Sequence, residues 1–270
     1  MSRYSISRVN TYLENPFKHW CKYIAGYKIK SNPEYTKYMD RGTVFHKCAE
    51  LMAQKPQENP KQVANQVAQY YAGEFLDDAI TAGITAFYRY MEEYHDTAFE
   101  RVIETEYQLD YVLPNGQDFI GFIDAIVDNM DGTVSLVDYK TYSNAPNKDK
   151  LKFSLQANLY MAVASRLGFT VKDFTFDCVN PKPVLKGRAY RTKRLTFPYN
   201  EAMCDEYLEQ FTMLTDIIEN NPELKVYTPG DYMPDPYDYL YKVWVGEINE
   251  DLDTYIQATF DVEEEKTDEE

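Results

Sequence analysis

Apolar positions in the first hundred residues recur at helical spacing. Ile6, Val9, Tyr12 and Leu13 share one face of a short helix, with Ser5 as its N-cap and Asn15-Pro16 ending or bending it. A second helix runs from about Thr36 to Gln54, stopped near Pro56 and Pro60. Alanine-rich, 3.6-periodic patterns predict two more, roughly Lys61 to Ala82 and Ile84 to Ala98. The pattern then changes. Val102 to Leu109 is rich in β-branched and aromatic residues and reads as a strand; Pro114-Asn115-Gly116 turns the chain into a second, Gln117 to Val127. Asn129 to Gly132 turns it again into a third, Val134 to Tyr139. A helix from Lys152 to Leu167 closes at Gly168. Strands near Phe174 to Val179 and Ala189 to Phe197 follow, and then a long helix from Tyr199 to about Asn220. This divides the chain into a helical region (1–100), a mixed α/β core (101–221) and a Tyr-, Pro- and Asp-rich extension (222–270).

Composition sharpens the picture. Hydrophobic residues at 44% and charged residues at 27% describe a folded globular chain. The 25 tyrosines suit grooves and interfaces as well as cores, because each packs a ring while keeping a polar end. No apolar run approaches the roughly 18 residues that span a bilayer, and Met1 to Ser5 lacks the apolar stretch of a secretory signal, so no membrane association and a cytoplasmic location are expected. Cys21, Cys48, Cys178 and Cys204 are scattered and read as reduced thiols. A net charge of −16 argues against nucleic acid at first sight. Yet the sum hides polarity. Residues 261–270 form an acidic run, whereas Lys182, Lys186, Arg188, Arg191, Lys193 and Arg194 fall in a stretch free of acids, with a looser basic group at Lys18, Lys22, Lys28 and Lys30.

Two motifs carry chemistry. Gly121-Phe122-Ile123-Asp124 lies on the second strand and Asp138-Tyr139-Lys140 ends the third. Strand side chains alternate, so Asp138 and Lys140 share a face while Tyr139 takes the other. Neighbouring strands lie under about 5 Å apart, so Asp124 and Asp138 can meet across the pair if the register allows. Two such carboxylates raise one another's pKa, and a divalent cation with oxygen ligands, Mg²⁺ or Mn²⁺, relieves the repulsion. That ion would supply Lewis acidity for attack on phosphorus, with Lys140 steadying the negative charge that develops. Isolated Asp and Lys residues at strand ends are commonly just solvated; the two motifs on consecutive strands say more. Gln156 and Tyr160, spaced i, i+4, line one face of the next helix with Val163 and Leu167, a pattern that also describes a core stripe. His46, in Gly42-Thr43-Val44-Phe45-His46, is either a structural residue or a metal ligand.

In this order the elements resemble the PD-(D/E)XK nuclease superfamily, in particular its RecB-like exonuclease branch, which includes CRISPR-associated RecB-like and phage exonucleases. The resemblance runs over roughly residues 5–195, through Ser5-Ile6-Ser7, Asn15-Pro16-Phe17, Gly42 to His46, Glu106, Gly121 to Asp124, Asp138 to Thr141 and Gln156 to Tyr160. It implies a restriction-endonuclease-like core, a mixed sheet flanked by helices, with the helical first hundred residues as a cap. It further implies that His46, Asp124, Asp138 and the backbone carbonyl of Tyr139 ligate the metal, that Lys140 is the catalytic lysine, and that Gln156 and Tyr160 position the scissile strand. Glu106 matches a recurrent glutamate without a fixed role. Relatives that hold an iron–sulfur cluster place a cysteine before the proline occupied here by Pro16; this chain has Asn15 there. Only Cys178 and Cys204 follow downstream, and such a cluster needs four thiolates, so none is expected.

The leading expectation is a Mg²⁺- or Mn²⁺-dependent DNA exonuclease acting on single strands or strand ends in recombination, repair or phage DNA metabolism. Aromatics would stack on bases, and the Lys182 to Arg194 stretch would follow the backbone. An endonuclease with the same centre is one alternative. The other is a non-catalytic binding module that meets a protein partner through its acidic surface.

Overall fold

A computed structural model describes residues 3–30, 33–94, 99, 101–182, 191–229 and 235–262. The chain divides into two units: Met1–Ser31, Val112–Phe119 and Gln210–Glu270 in one, Asn32–Tyr111 and Ile120–Glu209 in the other. The divisions drawn from sequence at residues 100 and 221 fall inside these units.

The second unit is built on a mixed sheet of β3 (Val102–Val112), β4 (Asp118–Asp128), β5 (Val134–Thr141), β6 (Val171–Val179) and β7 (Thr192–Pro198) in that spatial order. The β4–β5 and β6–β7 pairs are antiparallel and β5–β6 is parallel. The parallel pair needs a crossover, which α6 (Lys148–Lys152) and α7 (Leu155–Arg166) provide. One helix was expected here. Phe153 breaks the run, and the Ser154 hydroxyl caps α7 by accepting from the Ala157 N–H. Gly168 closes it with a φ of +99°, as its C-cap position requires.

Alternation along the strands covers both sheet faces. Tyr160 of α7 packs near Phe174 on one. On the other, Val137, Tyr139 and Val179 join Val44, Phe45, Phe87 and Tyr90 in a buried cluster. Those partners come from α3 (Pro33–Gln54) and α5 (Asp77–Tyr94), with α4 (Pro60–Tyr71) adding Val63 and Val67. The expected helix boundary at Gly83 is instead helix interior, and the break comes at Gly73, with a φ of +84°. Gly83 serves close approach: a Cβ there would lie 2.6 Å from the Arg41 carbonyl oxygen and 2.6 Å from Val44 Cβ. Thus α3 and α5 pack backbone to side chain, and α3 is held rigidly over the sheet.

The first unit gathers β1 (Arg3–Tyr4), α1 (Ile6–Glu14), α2 (Pro16–His19), a π-helical turn (Trp20–Ile24), β2 (Tyr27–Ile29), the end of α8 (Glu201–Asn220), α9 (Pro236–Trp244), α10 (Leu252–Thr259) and β8 (Phe260–Val262). Ser5 caps α1 as expected, by accepting from Arg8 N–H. β1 pairs in parallel with the first residues of β4, and β2 pairs antiparallel with β8. Two short strands and the π-turn therefore interrupt a region read from sequence as almost wholly helical. Phe17, Cys21, Tyr237, Leu240 and Phe260 form its core. Among the described residues no helix is long and apolar enough to cross a membrane.

Candidate active site

The ladder between β4 and β5 ends with Ala125 opposite Val137. One step further on, Asp124 and Asp138 face each other where the strands part. Backbone pairing is replaced there by a side chain: Asp124 Oδ2 accepts the Tyr139 N–H at 2.6 Å. The buried Asp124 carboxylate is thereby fixed at the end of the β4–β5 ladder, and its other oxygen lies 3.4 Å from Nδ1 of His46 on α3. The Tyr139 ring takes the opposite face, edge-on to His46 and Phe45. Gly42, one turn before His46, lies against β5, where a Cβ would make ordinary contact with Thr141 Oγ1 at 3.6 Å.

Asp138 is nearly sealed, at 3% exposure. Its Oδ1 accepts from Gln156 Nε2 at 2.6 Å and from Lys140 Nζ at 2.9 Å, while Oδ2 stands 2.7 Å from the same ammonium. The Tyr160 hydroxyl accepts from the Phe122 N–H at 3.3 Å and so holds the segment leading to Asp124. Gln156 and Tyr160 thus each engage one of the two acidic strands.

Sequence spacing left Glu106 without a role. The structure places it beside His46 and Asp124, with one potential ligand atom from each within 4.8 Å of the others. Its φ of +48° is a left-handed conformation that a non-glycine residue adopts at a cost of about 1–3 kcal/mol. In a strand this departs from plain alternation and redirects the carboxylate. No sequence signal predicts that twist. His46 and Glu106 line an open cleft of about 510 Å³ with Gly42, Lys47, Glu50 and Tyr71.

The charges are strongly coupled. Burial pulls the His46 imidazole down, but Asp124 and Asp138 outweigh it and push the group up to about 9. Burial pushes Asp124 up, yet His46, Lys140 and the Tyr139 N–H together hold it below its ordinary value. For Asp138 burial dominates; Lys140 pulls back and Asp124 pushes further, leaving it at about 6. Lys140 is drawn down by burial and raised more by Asp138 and Asp124, so it stays charged. Burial and Asp124 also raise Glu106.

The basic stretch is placed differently. Lys186 and Arg188 lie outside the described residues. Lys182 is exposed, and its backbone carbonyl accepts from Arg89 at 2.6 Å. Lys193 sits on β7 opposite Cys178. Arg191 pairs with Glu92 at 2.6 Å. Arg194 is committed to fully buried Asp177 through Nε at 2.7 Å and Nη2 at 2.6 Å.

The carboxylate–lysine couple on β5 is thus braced by Gln156 of α7, with His46, Asp124 and Glu106 gathered beside it. The model of the PD-(D/E)XK nuclease superfamily matches residues 3–236. The chain belongs to that superfamily. Among solved structures this nuclease is similar to the putative exonuclease from Eubacterium rectale, with 11% identity, 86% of this chain and 90% of that chain covered, and a TM-score of 0.53. It also matches the protein SSO0001 at 17% identity, covering 67% of this chain and 85% of that one, with a TM-score of 0.33. No curated protein matches. The first likeness shows the fold, a mixed sheet flanked by helices of the restriction-endonuclease-like type. Superfamily nucleases use divalent metal ions, and one imidazole with two carboxylates is a fitting donor set.

Proposed function

We propose that this nuclease is a metal-dependent DNA exonuclease acting on single strands or strand ends, with Asp124, Asp138 and Lys140 at its reactive centre. The observation that carries the reading is the convergence of His46, Glu106 and Asp124 beside the Asp138–Lys140 couple. His46, Glu106, Asp124, Asp138 and the Tyr139 carbonyl would hold the ion. When bound, a divalent ion such as Mg²⁺ or Mn²⁺ supplies Lewis acidity toward the phosphodiester and the attacking water. The protein does the rest. Lys140 keeps its positive charge and donates toward the oxygen on which negative charge accumulates. Asp138 orients Lys140, and Gln156 fixes Asp138. Tyr160 holds the Phe122 backbone, which sets the stand of Asp124. Exposed Lys182 and half-buried Lys193 remain available to the DNA backbone. The name of the Eubacterium rectale protein and the openness of the cleft support action on strand ends.

End-labelled linear single-stranded DNA, the same sequence in RNA, and closed single-stranded circles, each with Mn²⁺ or EDTA, test this reading. Linear DNA should be degraded with Mn²⁺ only, while circles and RNA persist. Opened circles would make the enzyme an endonuclease. Absence of metal-dependent cleavage of every DNA would sink the reading.

Metal loading should depend on pH. Only neutral imidazole ligates, and His46 is protonated in the metal-free protein up to about pH 9, so an incoming ion must displace that proton. Mn²⁺ affinity is therefore expected to rise about tenfold per pH unit between roughly pH 6 and 9, with about one proton released per ion. Titration calorimetry in buffers of different ionisation enthalpy measures both. A pH-independent affinity would remove His46 from the ligand set.

A further inference from the structure

Beside the reactive centre, the loop after β5 forms a pocket of about 310 Å³ lined by Tyr142, Ser143, Asn144, Asn147, Lys150 and Leu151. Arg41 of α3 reaches Ser143 with a single long contact, Nη2 to Oγ at 3.5 Å. Its Nε is buried and has no hydrogen-bond partner. The guanidinium lies over the Tyr38 ring at 4.8 Å, and among the described residues it has no carboxylate partner.

That is unlike the other half-buried arginines of the same unit. Arg194 clasps Asp177, Arg166 bonds Asp205 at 2.5 Å, and Arg89 donates to the carbonyls of Asn180 and Lys182. Arg194 uses the edge formed by Nε and Nη2 to hold its carboxylate in a fork. On Arg41 the same edge carries an unmade donor and a donor beyond good hydrogen-bond range. A buried donor left unmade is costly, and a planar fork is matched by carboxylate or phosphate oxygens. In a nuclease the anion at hand is phosphate.

Resting on the nuclease reading, we propose that Arg41, with the Ser143 hydroxyl and the exposed Lys150 ammonium, forms a subsite for a phosphate of the nucleic acid next to the one cleaved. Arg41 precedes His46 by five residues, roughly 7.5 Å along a helix axis, a separation that an adjoining phosphate of a bound strand can span. Ser143 follows Lys140 by three residues, in the loop just beyond the end of β5. Ser143 Oγ gives way to a phosphate oxygen, and the pocket mouth brings in Lys150. The phosphate is either an internal phosphodiester or the terminal monophosphate of a strand end.

The test uses the full chain, with Arg41→Gln and Lys150→Gln. In EDTA, inorganic phosphate is titrated into each protein by calorimetry, and a fluorescein-labelled single-stranded 12-mer, with a 5′-phosphate or a 5′-hydroxyl, is followed by anisotropy across salt concentrations. Arg41→Gln should weaken both ligands about tenfold and reduce the salt slope by about 0.7, the single-strand value for one contact. In cleavage assays it should raise KM by a similar factor with kcat held within about threefold. A wild-type preference for the 5′-phosphate that Arg41→Gln abolishes assigns the terminal monophosphate; equal loss on both oligonucleotides assigns an internal phosphodiester. Unchanged binding of both ligands in both variants overturns the subsite. Should Arg41→Gln fail to fold, the surface variant Lys150→Gln decides. If the wild type cleaves and binds no DNA, the nuclease reading is what fails, and the inorganic phosphate titration still decides the subsite.

Discussion

Replacing Lys140 with alanine is expected to lower DNA cleavage turnover about 10³-fold at saturating metal and substrate, the scale set by removing one preorganised donor from a developing anion. The ammonium is held 2.7 Å from Asp138 Oδ2, and two carboxylates keep its pKa above the ordinary lysine value. It therefore enters the reaction charged and already aimed, and no reorganisation precedes the step it stabilises. Metal affinity should change much less, because Lys140 is not a ligand. The comparison of turnover with Mn²⁺ affinity separates loss of catalysis from loss of the ion. A variant within tenfold of wild type would take Lys140 out of the reactive centre.

The same substitution has a second signature. Lys140 is the main influence holding Asp138 down against burial, and with the ammonium in place that carboxyl still stands at about 6. Without the ammonium, Asp138 retains the Gln156 amide and the repulsion of Asp124, so its pKa rises further. A raised carboxyl stays protonated to higher pH. The acid limb of the residual pH–rate profile should therefore move upward in Lys140→Ala, whereas a purely structural role for the lysine would leave that limb where it was.

Much of this site was readable because its key residues are local. Asp124, Asp138 and Lys140 sit on consecutive strands joined by a short turn, and period-two alternation alone sets Tyr139 apart from its neighbours. Gln156 and Tyr160 follow from an i, i+4 spacing. Glu106 was not readable in this way, since a φ of +48° overrides alternation and no spacing announces it. Gly83 shows the same limit in the fold: a glycine within an apolar period marks either a boundary or a close approach, and only the presence of α3 decides. The units were hidden for a related reason, because residues from both ends of the chain assemble one of them.

Asn15 is instructive in that unit. Where some relatives place a cluster cysteine, its side chain accepts from Lys18 N–H to cap α2 and donates to the Thr228 carbonyl at 2.9 Å. Phe17 N–H reaches Val226 O at 3.0 Å, and Trp20 meets Trp244 edge-on at 5.3 Å. Hydrogen bonds and aromatic contacts here join segments from the two ends of the chain.

Charge is where reading the sequence misleads most, because it shows a cation and not its partner. Arg194 was expected on the DNA backbone; the structure gives it to Asp177, which is wholly buried and also accepts from Tyr90 at 2.8 Å. Asp177→Ala should cost about 1–3 kcal/mol, since it leaves the buried Tyr90 hydroxyl without its acceptor, while the Arg194 side chain, 37% exposed, turns to water. For a unit of this size that is a fall in Tm of roughly 2–12 °C, measurable by urea and thermal unfolding. Asp177→Asn, which keeps the shape and part of the hydrogen bonding, should cost less. Arg194→Ala should likewise destabilise, by stranding a buried carboxylate, and should leave the salt slope of DNA binding unchanged. The opposite result, stability within about 1 kcal/mol of wild type with a slope lower by about 0.7, would return Arg194 to the DNA-binding surface. Activity should suffer indirectly in Asp177→Ala. Tyr90 packs on Tyr139 at 5.5 Å, and the Tyr139 N–H is what holds Asp124 at the site.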